Sequence, residues 1–215
     1  MRLILFGAPG AGKGSQAEIL SQTLHIPHIS TGDIFRDHIT KCSDIGNTIK
    51  KYIKQGLLVP DELTINILRS RILEDNCKDG FILDGFPRTN QQAEALDRML
   101  HLENLKIDKV VNIHLEDDKI VERLLGRLTC SSCNSIYHVK YNKPLKDGIC
   151  DTCGSVLVKR DDDTEATIMN RLKVYHSQTE QVLTYYRSKN MVIDIESCID
   201  IHDTTKALFS VLNLL

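Results

Sequence analysis

A glycine-rich segment near the start of the chain carries residues suited to phosphate chemistry. It runs from Gly7 to Ser15 and reads GAPGAGKGS. Gly7, Gly12 and Lys13 have the spacing G-x-x-x-x-G-K of a phosphate-binding loop. The glycines allow backbone N–H groups to face an anion, and Lys13 adds a mobile positive charge for the outer phosphates. The segment therefore predicts a nucleotide-phosphate site, and a chance glycine-rich turn is the alternative.

The loop departs from the general pattern at the residue after the lysine. Gly14 stands where Ser or Thr usually binds magnesium, and the hydroxyl follows one residue later at Ser15. The magnesium arrangement of ordinary GTPases and ATPases is therefore in doubt for this chain. Asp84 ends an apolar stretch and is suited to hold waters around a metal bound between phosphates. A local turn is the plainer explanation of Asp84.

Two arginines and a glutamine are candidates for binding a second phosphorylated molecule. Arg36 and Arg88 can each grip a phosphate with a planar fork of N–H donors. Gln92 carries a donor and an acceptor, which matches the paired edge of adenine. Plainer explanations exist, because Arg36 can be a surface charge and Asp33 can cap a helix. The positions of these residues after predicted strands favour the functional interpretation.

Further arginines lie in the second half of the chain. Arg123 and Arg127 are four residues apart on one predicted helix, so we expect them to share a face. Arg160 and Arg171 flank a run of three aspartates. A solvated helix face also explains the first pair, and Asp162, with a glutamate three residues later, resembles a capping box.

Four of the seven cysteines form two C-x-x-C pairs with 16 residues between the pairs: Cys130, Cys133, Cys150 and Cys153. This spacing fits a zinc pattern, and four thiolates leave tetrahedral zinc no open position, so the metal would be structural. Two disulfides or four unpaired thiols are the alternatives. The odd cysteine count and the lack of a signal-peptide pattern argue against a disulfide framework. We expect Cys42, Cys77 and Cys198 to be ordinary small buried side chains.

Apolar stretches and helical patterns alternate along the chain. The predicted strands are Arg2–Phe6, Pro27–Ser30, Gly80–Leu83, Val110–Leu115 and Met191–Ile195. The predicted helices are Lys13–Leu24, Glu62–Glu74, Gln91–His101, Asp117–Leu128, Glu165–Lys189 and Thr204–Leu214. The strands are nearly continuous in apolar residues, which is typical of strands covered on both faces. The pattern predicts an α/β fold with a five-stranded parallel sheet, helices on both faces, and ligands at the carboxyl ends of the strands.

Two stretches interrupt this alternation and are predicted to be insertions into one core. Residues 31–59 are polar and mostly helical, whereas residues 126–160 are rich in Cys, Gly, Asn and Lys. The core is then expected to comprise residues 1–30, 60–125 and 161–215.

Composition narrows the class of protein. The chain has 215 residues, of which 41% are apolar and 26% charged, and its formal net charge is −2. This charge argues against a broadly basic nucleic-acid surface. No apolar run approaches the roughly 20 residues that a membrane span needs. We therefore expect a cytoplasmic protein that binds neither nucleic acid nor membrane.

The loop variant G-x-P-G-x-G-K-G-[ST]-Q, with the Thr31–Arg36 and Asp84–Arg88 segments and the paired cysteines, resembles the adenylate kinases over essentially the whole chain. The resemblance implies a P-loop kinase core with a helical NMP-binding insertion, residues 31–59, and a small zinc-bound lid, residues 126–160. It implies reversible transfer of a phosphoryl group from ATP to AMP, giving two ADP. Mg²⁺ would accompany ATP, a structural Zn²⁺ would hold the lid, and the protein would be a monomer.

The resemblance also assigns expected site residues. For ATP they are Gly10, Ala11, Gly12, Lys13, Gly14, Ser15, Arg123, Arg127, Ile136, Tyr137 and Ile199. For AMP they are Thr31, Arg36, Leu57, Val59, Gly85, Arg88, Gln92, Arg160 and Arg171. The catalytic residues would be Lys13, Arg88, Arg127, Arg160 and Arg171. Asp33 and Asp84 would lie near magnesium, and the four paired cysteines would bind zinc.

Other functions remain open at this point. A kinase of the same type could use GTP as the donor for AMP. A UMP or CMP kinase is disfavoured by Gln92 and the long lid. A zinc-ribbon module that binds RNA or a protein is disfavoured by the charge and by the few aromatics near the cysteines, Tyr137 and Tyr141. A regulatory ATPase would need no acceptor residues such as Arg36 and Arg88.

Overall fold

A five-stranded parallel sheet forms the centre of the computed structural model, which describes residues 1–198 and 200–214. The strands of this sheet are β1 (Arg2–Phe6), β2 (His28–Ser30), β3 (Phe81–Asp84), β4 (Lys109–His114) and β8 (Val192–Glu196). A second, antiparallel sheet contains β5 (Arg127–Cys130), β6 (Ile136–His138) and β7 (Leu157–Val158). The central order is β2-β3-β1-β4-β8, and all neighbouring strands are parallel, as the sequence predicts.

Helices connect the strands. They are α1 (Lys13–Leu24), α2 (Thr31–Thr40), α3 (Asp44–Lys54), α4 (Asp61–Ile72), α5 (Asn90–Leu102), α6 (Asp117–Leu125), α7 (Glu165–Val174), α8 (Gln181–Arg187) and α9 (Ile201–Leu212), with a short 3₁₀ turn at Asp75–Cys77. Within the described ranges, no helix combines the length and the apolar character that crossing a bilayer requires.

Side chains of the central strands alternate between two apolar layers. On β1, Ile4 and Phe6 pack into the layer that includes residues of α4 to α8. Leu3 and Leu5 point to the opposite layer, which α1 and α9 cover. Burying one such side chain completely stabilises the fold by about 1.5–3 kcal/mol. Burial on both faces explains why β1 and β3 lack polar alternation in the sequence, whereas the edge strand β8 alternates and exposes Asp194 and Glu196.

The two predicted insertions each have a small apolar cluster of their own. In the first, α2 and α3 pack around Phe35, Ile49 and Val59. In the second, the antiparallel sheet surrounds a cluster whose buried members are Cys130, Tyr137, Cys150 and Leu157. The existence of the two substructures matches the sequence pattern. Their behaviour as separate units, with the boundaries given above, stays a prediction.

Helix α6 is shorter than predicted, and this changes the arginine pair. The helix ends at Leu125 rather than Leu128, so Arg127 begins strand β5 and shares no helix face with Arg123. The strand pairs with β6, which places Arg127 opposite His138. A side chain at Gly126 would meet the His138 ring at 2.3 Å, so the close approach of the two segments requires glycine there. Tertiary pairing therefore overrides the local helical pattern.

The long helix predicted from Glu165 to Lys189 is interrupted. Helix α7 ends at Val174, a wide π turn spans Tyr175–Thr179, and α8 follows. The capping-box interpretation of Asp162 is also wrong, because Thr164 caps α7 by accepting a hydrogen bond from the Thr167 amide at 3.3 Å. A hydroxyl directly before the helix supplies the cap more closely than the aspartate does.

The unpaired cysteines are not all buried. Cys77 is buried as expected, but Cys42 and Cys198 are exposed. Cys42 lies in the turn after α2 with a left-handed backbone, and Cys198 follows strand β8. Both positions lie outside the apolar layers, which explains why the burial expectation fails there.

The π turn carries a histidine that links it to α6. The His176 ring lies 3.0 Å from a carboxylate oxygen of Asp117 and 3.1 Å from one of Glu180. Contact with Glu180, and then with Asp117, raises the pKa of His176. Because this pKa is raised, the pairing stabilises the fold fully below the ordinary histidine pKa and is lost as pH rises through the folded value.

We therefore expect His176→Gln to lower the melting temperature more at pH 6 than at pH 9. The groups are about half exposed, so the effect at pH 6 should not exceed about 1 kcal/mol, or roughly 2–4 °C. Scanning calorimetry of both proteins at the two pH values measures the difference. An equal loss at both pH values would show that the charge on His176 contributes nothing.

Candidate active site

A large cleft opens at the carboxyl ends of the central strands. Its volume is about 1240 Å³, and its walls come from the phosphate loop, both insertions and helix α7. Loops after parallel strands meet at this edge of the sheet, which is where α/β folds bind ligands. The cleft therefore brings together segments that are distant in sequence.

The phosphate loop forms one end of this cleft. Lys13 Nζ donates hydrogen bonds of 2.8 Å to the carbonyl oxygens of Gly7 and Ala8. Burial lowers the pKa of Lys13 to about 8, although the nearby Asp84 carboxylate opposes the shift. No side chain caps α1, whose N-cap residue Gly12 has φ of 100°. The first amides of α1 and the lysine ammonium are thus arranged to receive an anion.

Asp84 faces this loop from the end of β3. A side chain added at Gly14 would lie 3.5 Å from Asp84 Oδ2, and His28 Nε2 lies 3.5 Å from the same oxygen. Burial opposes ionisation of Asp84, but contact with His28 and the charge of Lys13 outweigh it, so the pKa of Asp84 is lowered. Contact with Asp84 likewise outweighs burial and raises the pKa of His28. An ionised oxygen donor beside a phosphate loop fits a hydrated magnesium ion.

Asp33 does not share this position. Its carboxylate pairs with Arg36 at 2.5 Å on helix α2, and its amide donates to the Ser30 hydroxyl that caps the helix. Asp33 is therefore not the cap itself, and Arg36 is not a free surface charge. A role of Asp33 near magnesium stays a prediction.

The opposite end of the cleft contains the predicted acceptor residues. Thr31 Oγ1 donates to the carbonyl of Gly85 at 2.9 Å, and Arg88 Nε donates to the same oxygen at 2.7 Å. A side chain at Gly85 would meet the Thr31 hydroxyl at 2.8 Å and the Arg88 guanidinium at 2.9 Å, so only glycine fits between them. This packing holds Arg88 at the cleft wall.

Gln92 is buried in a network that involves the start of α4. Its Nε2 donates to Asp61 at 2.7 Å, and its Oε1 accepts from the Arg88 amide at 2.7 Å. Asp61 also accepts a 2.8 Å hydrogen bond from the Thr89 hydroxyl. A primary amide has a second N–H and a second lone pair, so the adenine-edge interpretation of Gln92 remains chemically available. The network fixes the orientation of its amide.

Between the two ends, arginines and aspartates from the lid borders converge. Arg127 donates two hydrogen bonds to Asp163, of 2.8 Å and 2.5 Å. Arg171 lies 3.2 Å from Asp162 and 3.5 Å from Asp163. Arg160 donates to the Thr129 hydroxyl at 3.0 Å, and within the described residues it forms no ion pair.

Burial shifts the pKa values of these arginines. It lowers the pKa of Arg160 to about 9, assisted by the charge of Arg127, and that of Arg171 to about 10. Burial also lowers the pKa of Arg88. Cations held out of water, with Arg160 lacking an ion pair among the described residues, create a field that favours an anionic ligand.

On the donor side, Arg123 is fixed by the segment after β8. Its guanidinium donates to Ser197 Oγ at 2.9 Å and to the carbonyl of Cys198 at 2.5 Å. Ile136 lines the cleft beside Gly14, about 3.6 Å from the position of an added side chain. The predicted contact at Ile199 lies outside the described residues.

Three further residues predicted to contact nucleotides, Tyr137, Leu57 and Val59, line the cleft. The Tyr137 hydroxyl accepts a hydrogen bond from the Asp151 amide at 2.8 Å. Leu57 is exposed and Val59 is buried. Their contacts with nucleotides stay predictions.

The four paired cysteines meet at one end of the small sheet. Their sulfur atoms all lie within 4.8 Å of one another, and the distances Cys130–Cys153 and Cys133–Cys150 are 3.4 Å and 3.5 Å. Four sulfurs placed about 2.3 Å from a tetrahedral zinc ion are separated by roughly 3.8 Å, which is close to this arrangement. The donor set fits structural zinc and leaves no position for a substrate.

Local backbone geometry supports the same assignment. The amides of Ser132 and Cys133 point to Cys130 Sγ at 3.4 Å and 3.5 Å. Asn134 and Gly154, each directly after a pair, have φ of 61° and 75°. Burial opposes ionisation of Cys150, but hydrogen bonds from the Tyr137 hydroxyl and nearby amides outweigh it and lower the pKa of Cys150. For Cys130, hydrogen bonds from the Cys133 and Ser132 amides are outweighed by burial and by contacts with Cys153 and Cys133, which raise the pKa of Cys130. Thiolates are the form that binds zinc.

Comparison with known proteins decides the family. A profile described as adenylate kinase matches residues 5–191. An adenylate kinase of Caldicellulosiruptor saccharolyticus is 50% identical over 214 residues, covering 100% of both chains. Those of Acetivibrio thermocellus and Streptomyces coelicolor are 49% and 46% identical, covering 99% and 96% of this chain and 98% and 95% of their own.

The chain belongs to the adenylate kinase family. It is therefore an enzyme of the nucleoside monophosphate kinase class. The clustered cysteines place it with members whose lid is suited to bind zinc.

The sequence did not predict three residues that the structure places beside the candidate site. His28 lies 3.5 Å from Asp84, and Asp61 accepts a hydrogen bond from Gln92. Ser197 accepts a hydrogen bond from Arg123. A titratable side chain within the predicted strand Pro27–Ser30 was the available signal for His28. No local signal distinguished Asp61 or Ser197 from ordinary surface residues.

Proposed function

We propose that this adenylate kinase transfers the γ-phosphoryl group of ATP reversibly to AMP, giving two ADP and balancing the adenine nucleotides. The observation that supports the proposal is that one cleft is lined by two sets of groups suited to bind phosphate. Lys13 and the loop amides supply one set, and Arg36 with Arg88 supplies the other. A protein that only hydrolysed ATP would need no second set.

The residues between the two ends account for the chemistry. Phosphoryl transfer needs in-line positioning and neutralisation of charge on the equatorial oxygens, and little covalent help from protein. Arg127, Arg160 and Arg171 are held partly buried in this region by lid-border contacts. Their N–H forks can follow the phosphoryl group from donor to acceptor. No nucleophilic side chain or covalent intermediate is required.

Arg123 is assigned to the donor base. Its guanidinium is held by Ser197 and Cys198 at the mouth of the loop, so its plane can pack against the ATP adenine. On the acceptor side, we assign the AMP base to Gln92 and to backbone around Leu57 and Val59. The orientation that Asp61 imposes on Gln92 supports this assignment.

Magnesium is proposed to accompany ATP. Asp84 would hold it through water, with the Ser15 hydroxyl nearby, because Asp84 is ionised and faces the loop. The ion would neutralise phosphate charge. The protein residues would still perform binding, orientation and the exclusion of water.

We propose that residues 126–160 act as a lid, residues 31–59 as the NMP-binding insertion, and the remainder as the core. Covering the cleft would exclude water and prevent ATP hydrolysis. We also propose a monomer in the cytoplasm, a reducing compartment in which zinc-binding thiols persist.

The test is phosphoryl transfer with ATP and magnesium, offering AMP, CMP, UMP and GMP separately. We expect rapid ADP formation that depends on AMP, with at least about 100-fold lower turnover for the other acceptors, because a site built to hydrogen-bond one base leaves polar groups unpaired with another. Chromatography of the nucleoside diphosphates measures the outcome. Turnover with CMP or UMP would overturn the assignment of Gln92. ATP loss without an acceptor would favour an ATPase, and preferred use of GTP would change the donor.

A further inference from the structure

The carboxyl end of helix α3 is closed by a glycine turn. The Gly56 amide donates to the carbonyl of Ile53, and the Leu57 amide donates to that of Tyr52, both at 3.0 Å. Gly56 has φ of 68°, which an L side chain rarely adopts. This turn satisfies two of the carbonyls that a helix leaves free at its end.

The next two carbonyls are bonded by a different part of the chain. Asn170 Nδ2 donates to the carbonyl of Gln55 at 2.5 Å, and Thr167 Oγ1 donates to that of Lys54 at 3.5 Å. Both donors lie on helix α7, more than one hundred residues away in sequence. Side chains of α7 therefore complete the cap of α3.

The two segments also touch directly at the glycine. A side chain on Gly56 would lie 2.9 Å from the carbonyl oxygen of Thr167 and 3.0 Å from Arg171 Cγ. Contacts this short leave no room for any residue larger than glycine. The turn and α7 thus form a closely packed seam, which we call the α3–α7 seam and define by residues Lys54–Gly56, Thr167 and Asn170.

This seam lies between two parts of the site. Leu57, Leu58 and Val59 follow it directly and line the cleft. Arg171 is the residue after Asn170, and its guanidinium pairs with Asp162 inside the cleft. One rigid contact therefore sets the distance between the acceptor-pocket backbone and an arginine between the two phosphate ends.

We propose that Asn170, assisted by Thr167, is a positioning residue for the acceptor nucleotide. It acts by holding the backbone of Leu57–Val59 in place and not by touching the nucleotide. The inference rests on the proposed function, because it takes AMP as the acceptor that binds beside Leu57–Val59. Loss of the Asn170 donor leaves the exposed Gln55 carbonyl to water, which does not tie the turn to α7. The backbone of Leu57–Val59 then loses its fixed position, whereas the phosphate loop is unaffected.

The test compares Asn170→Leu with Met169→Gln. The first change replaces the amide with a larger apolar group that has the same branching at Cγ. The second introduces an amide at a neighbouring position on α7 that is 54% exposed. For Asn170→Leu we expect KM for AMP and the dissociation constant of AMP to rise about three- to tenfold, as one hydrogen bond permits. KM for ATP and kcat at saturating AMP should stay within about twofold, because the lost interaction binds ground and transition states equally.

Two further variants separate positioning from stability. Asn170→Lys retains N–H donors on a flexible arm and is expected to restore AMP affinity to within about twofold of wild type. Thr167→Val is expected to raise KM for AMP by less than Asn170→Leu, since its hydrogen bond is longer. Isothermal titration with AMP alone and with ATP alone, and a melting curve for each variant, complete the set.

The outcomes distinguish the two claims. If the wild-type protein does not transfer phosphate to AMP, the proposed function fails. If wild type does so but Asn170→Leu binds AMP normally, or loses AMP and ATP affinity equally, the positioning role is overturned. A lower melting temperature with unchanged AMP affinity also overturns it, because the seam is then only structural. Selective loss of AMP affinity with rescue by Asn170→Lys supports the inference.

Discussion

Replacing Arg160 with glutamine is expected to lower kcat by about 10³-fold or more and, at the same time, to raise the melting temperature of the unliganded protein. The loss of activity follows from the position of the guanidinium among the residues assigned to the transferring phosphate, where a single arginine can contribute 10³–10⁵ in rate. The gain in stability follows from the cost of holding this cation in the empty cleft. Steady-state kinetics and scanning calorimetry measure the two effects.

The expected rise in melting temperature follows from the groups that surround Arg160. Among the residues that the structure describes, its one side-chain hydrogen bond is to Thr129, and the nearby charges of Arg127 and Arg36 repel it. Burial and this repulsion lower its pKa to about 9. The folded protein at neutral pH therefore carries a charge that its surroundings disfavour. Glutamine removes the charge and can keep a donor for Thr129, so we expect a rise of about 2–8 °C.

The variant Arg160→Lys and the addition of nucleotides provide two further tests of this prediction. Arg160→Lys keeps a cation but loses the planar fork, so we expect an intermediate loss in kcat of about 10–100-fold and little gain in stability. Addition of ATP and AMP together should stabilise wild type more than Arg160→Gln, because phosphates supply the missing counter-charge. If Arg160→Gln is active and no more stable than wild type, Arg160 neither serves the transition state nor strains the empty site.

Some parts of the fold and of the candidate site could be predicted from the sequence alone. The central sheet was predictable because strands buried on both faces are nearly continuous in apolar residues, as in β1 and β3. The phosphate loop and the paired cysteines were predictable because their chemistry requires fixed spacing within a short segment. Such local requirements leave a pattern that one sequence displays.

Features that depend on distant partners were not predictable in this way. Arg127 was assigned to a helix because its spacing from Arg123 is helical, but pairing with β6 makes it a strand residue. Asp61 orients Gln92 across 31 residues, and Asn170 caps a helix across 115 residues. The residues next to Asp61 and Asn170 in the sequence do not indicate that their partners are Gln92 and Gln55. Their roles arise from tertiary packing.

The N-cap of helix α7 shows that some short-range features could not be predicted from the sequence either. Asp162 and Thr164 both precede α7, and both are residue types that favour N-caps. The structure uses Thr164, and Asp162 pairs with Arg171 instead. The sequence pattern favoured Asp162 alone, whereas the choice depends on a charge that lies nine residues further along the chain.

Removing zinc from the lid is expected to unfold residues 126–160 while the central sheet stays folded. The proposed lid has few means of stability without metal, because its apolar cluster has four buried members and two of these, Cys130 and Cys150, are proposed zinc ligands. A segment of this size rarely folds on so small a core. Zinc binding to such sites supplies about 10–16 kcal/mol in isolated zinc-finger peptides, which greatly exceeds what Tyr137 and Leu157 contribute by burial.

Chelation, or the change Cys150→Ser, should therefore abolish amide protection in β5, β6 and β7 and leave that of β1 and β4 intact. Phosphoryl transfer should fall at least about 100-fold, since Arg127 and Arg160 lie at the lid borders and depend on its fold. Hydrogen exchange read by mass spectrometry, metal analysis and the kinase assay give the three measurements. Cys42→Ser is the matched control, because Cys42 is exposed and remote from the cluster.

Each possible pattern of amide protection in the lid and the core has a different meaning. Pure loss of activity with full protection in β5–β7 would mean that the lid folds without metal, and that the hydrogen bonds of Tyr137, Asn142 and Asp151 suffice to hold it. Loss of protection throughout the chain would mean that lid and core unfold together. Loss confined to the lid, with recovery on adding zinc, would establish that the metal keeps this segment rigid and that its stability is independent of the sheet that carries the phosphate loop.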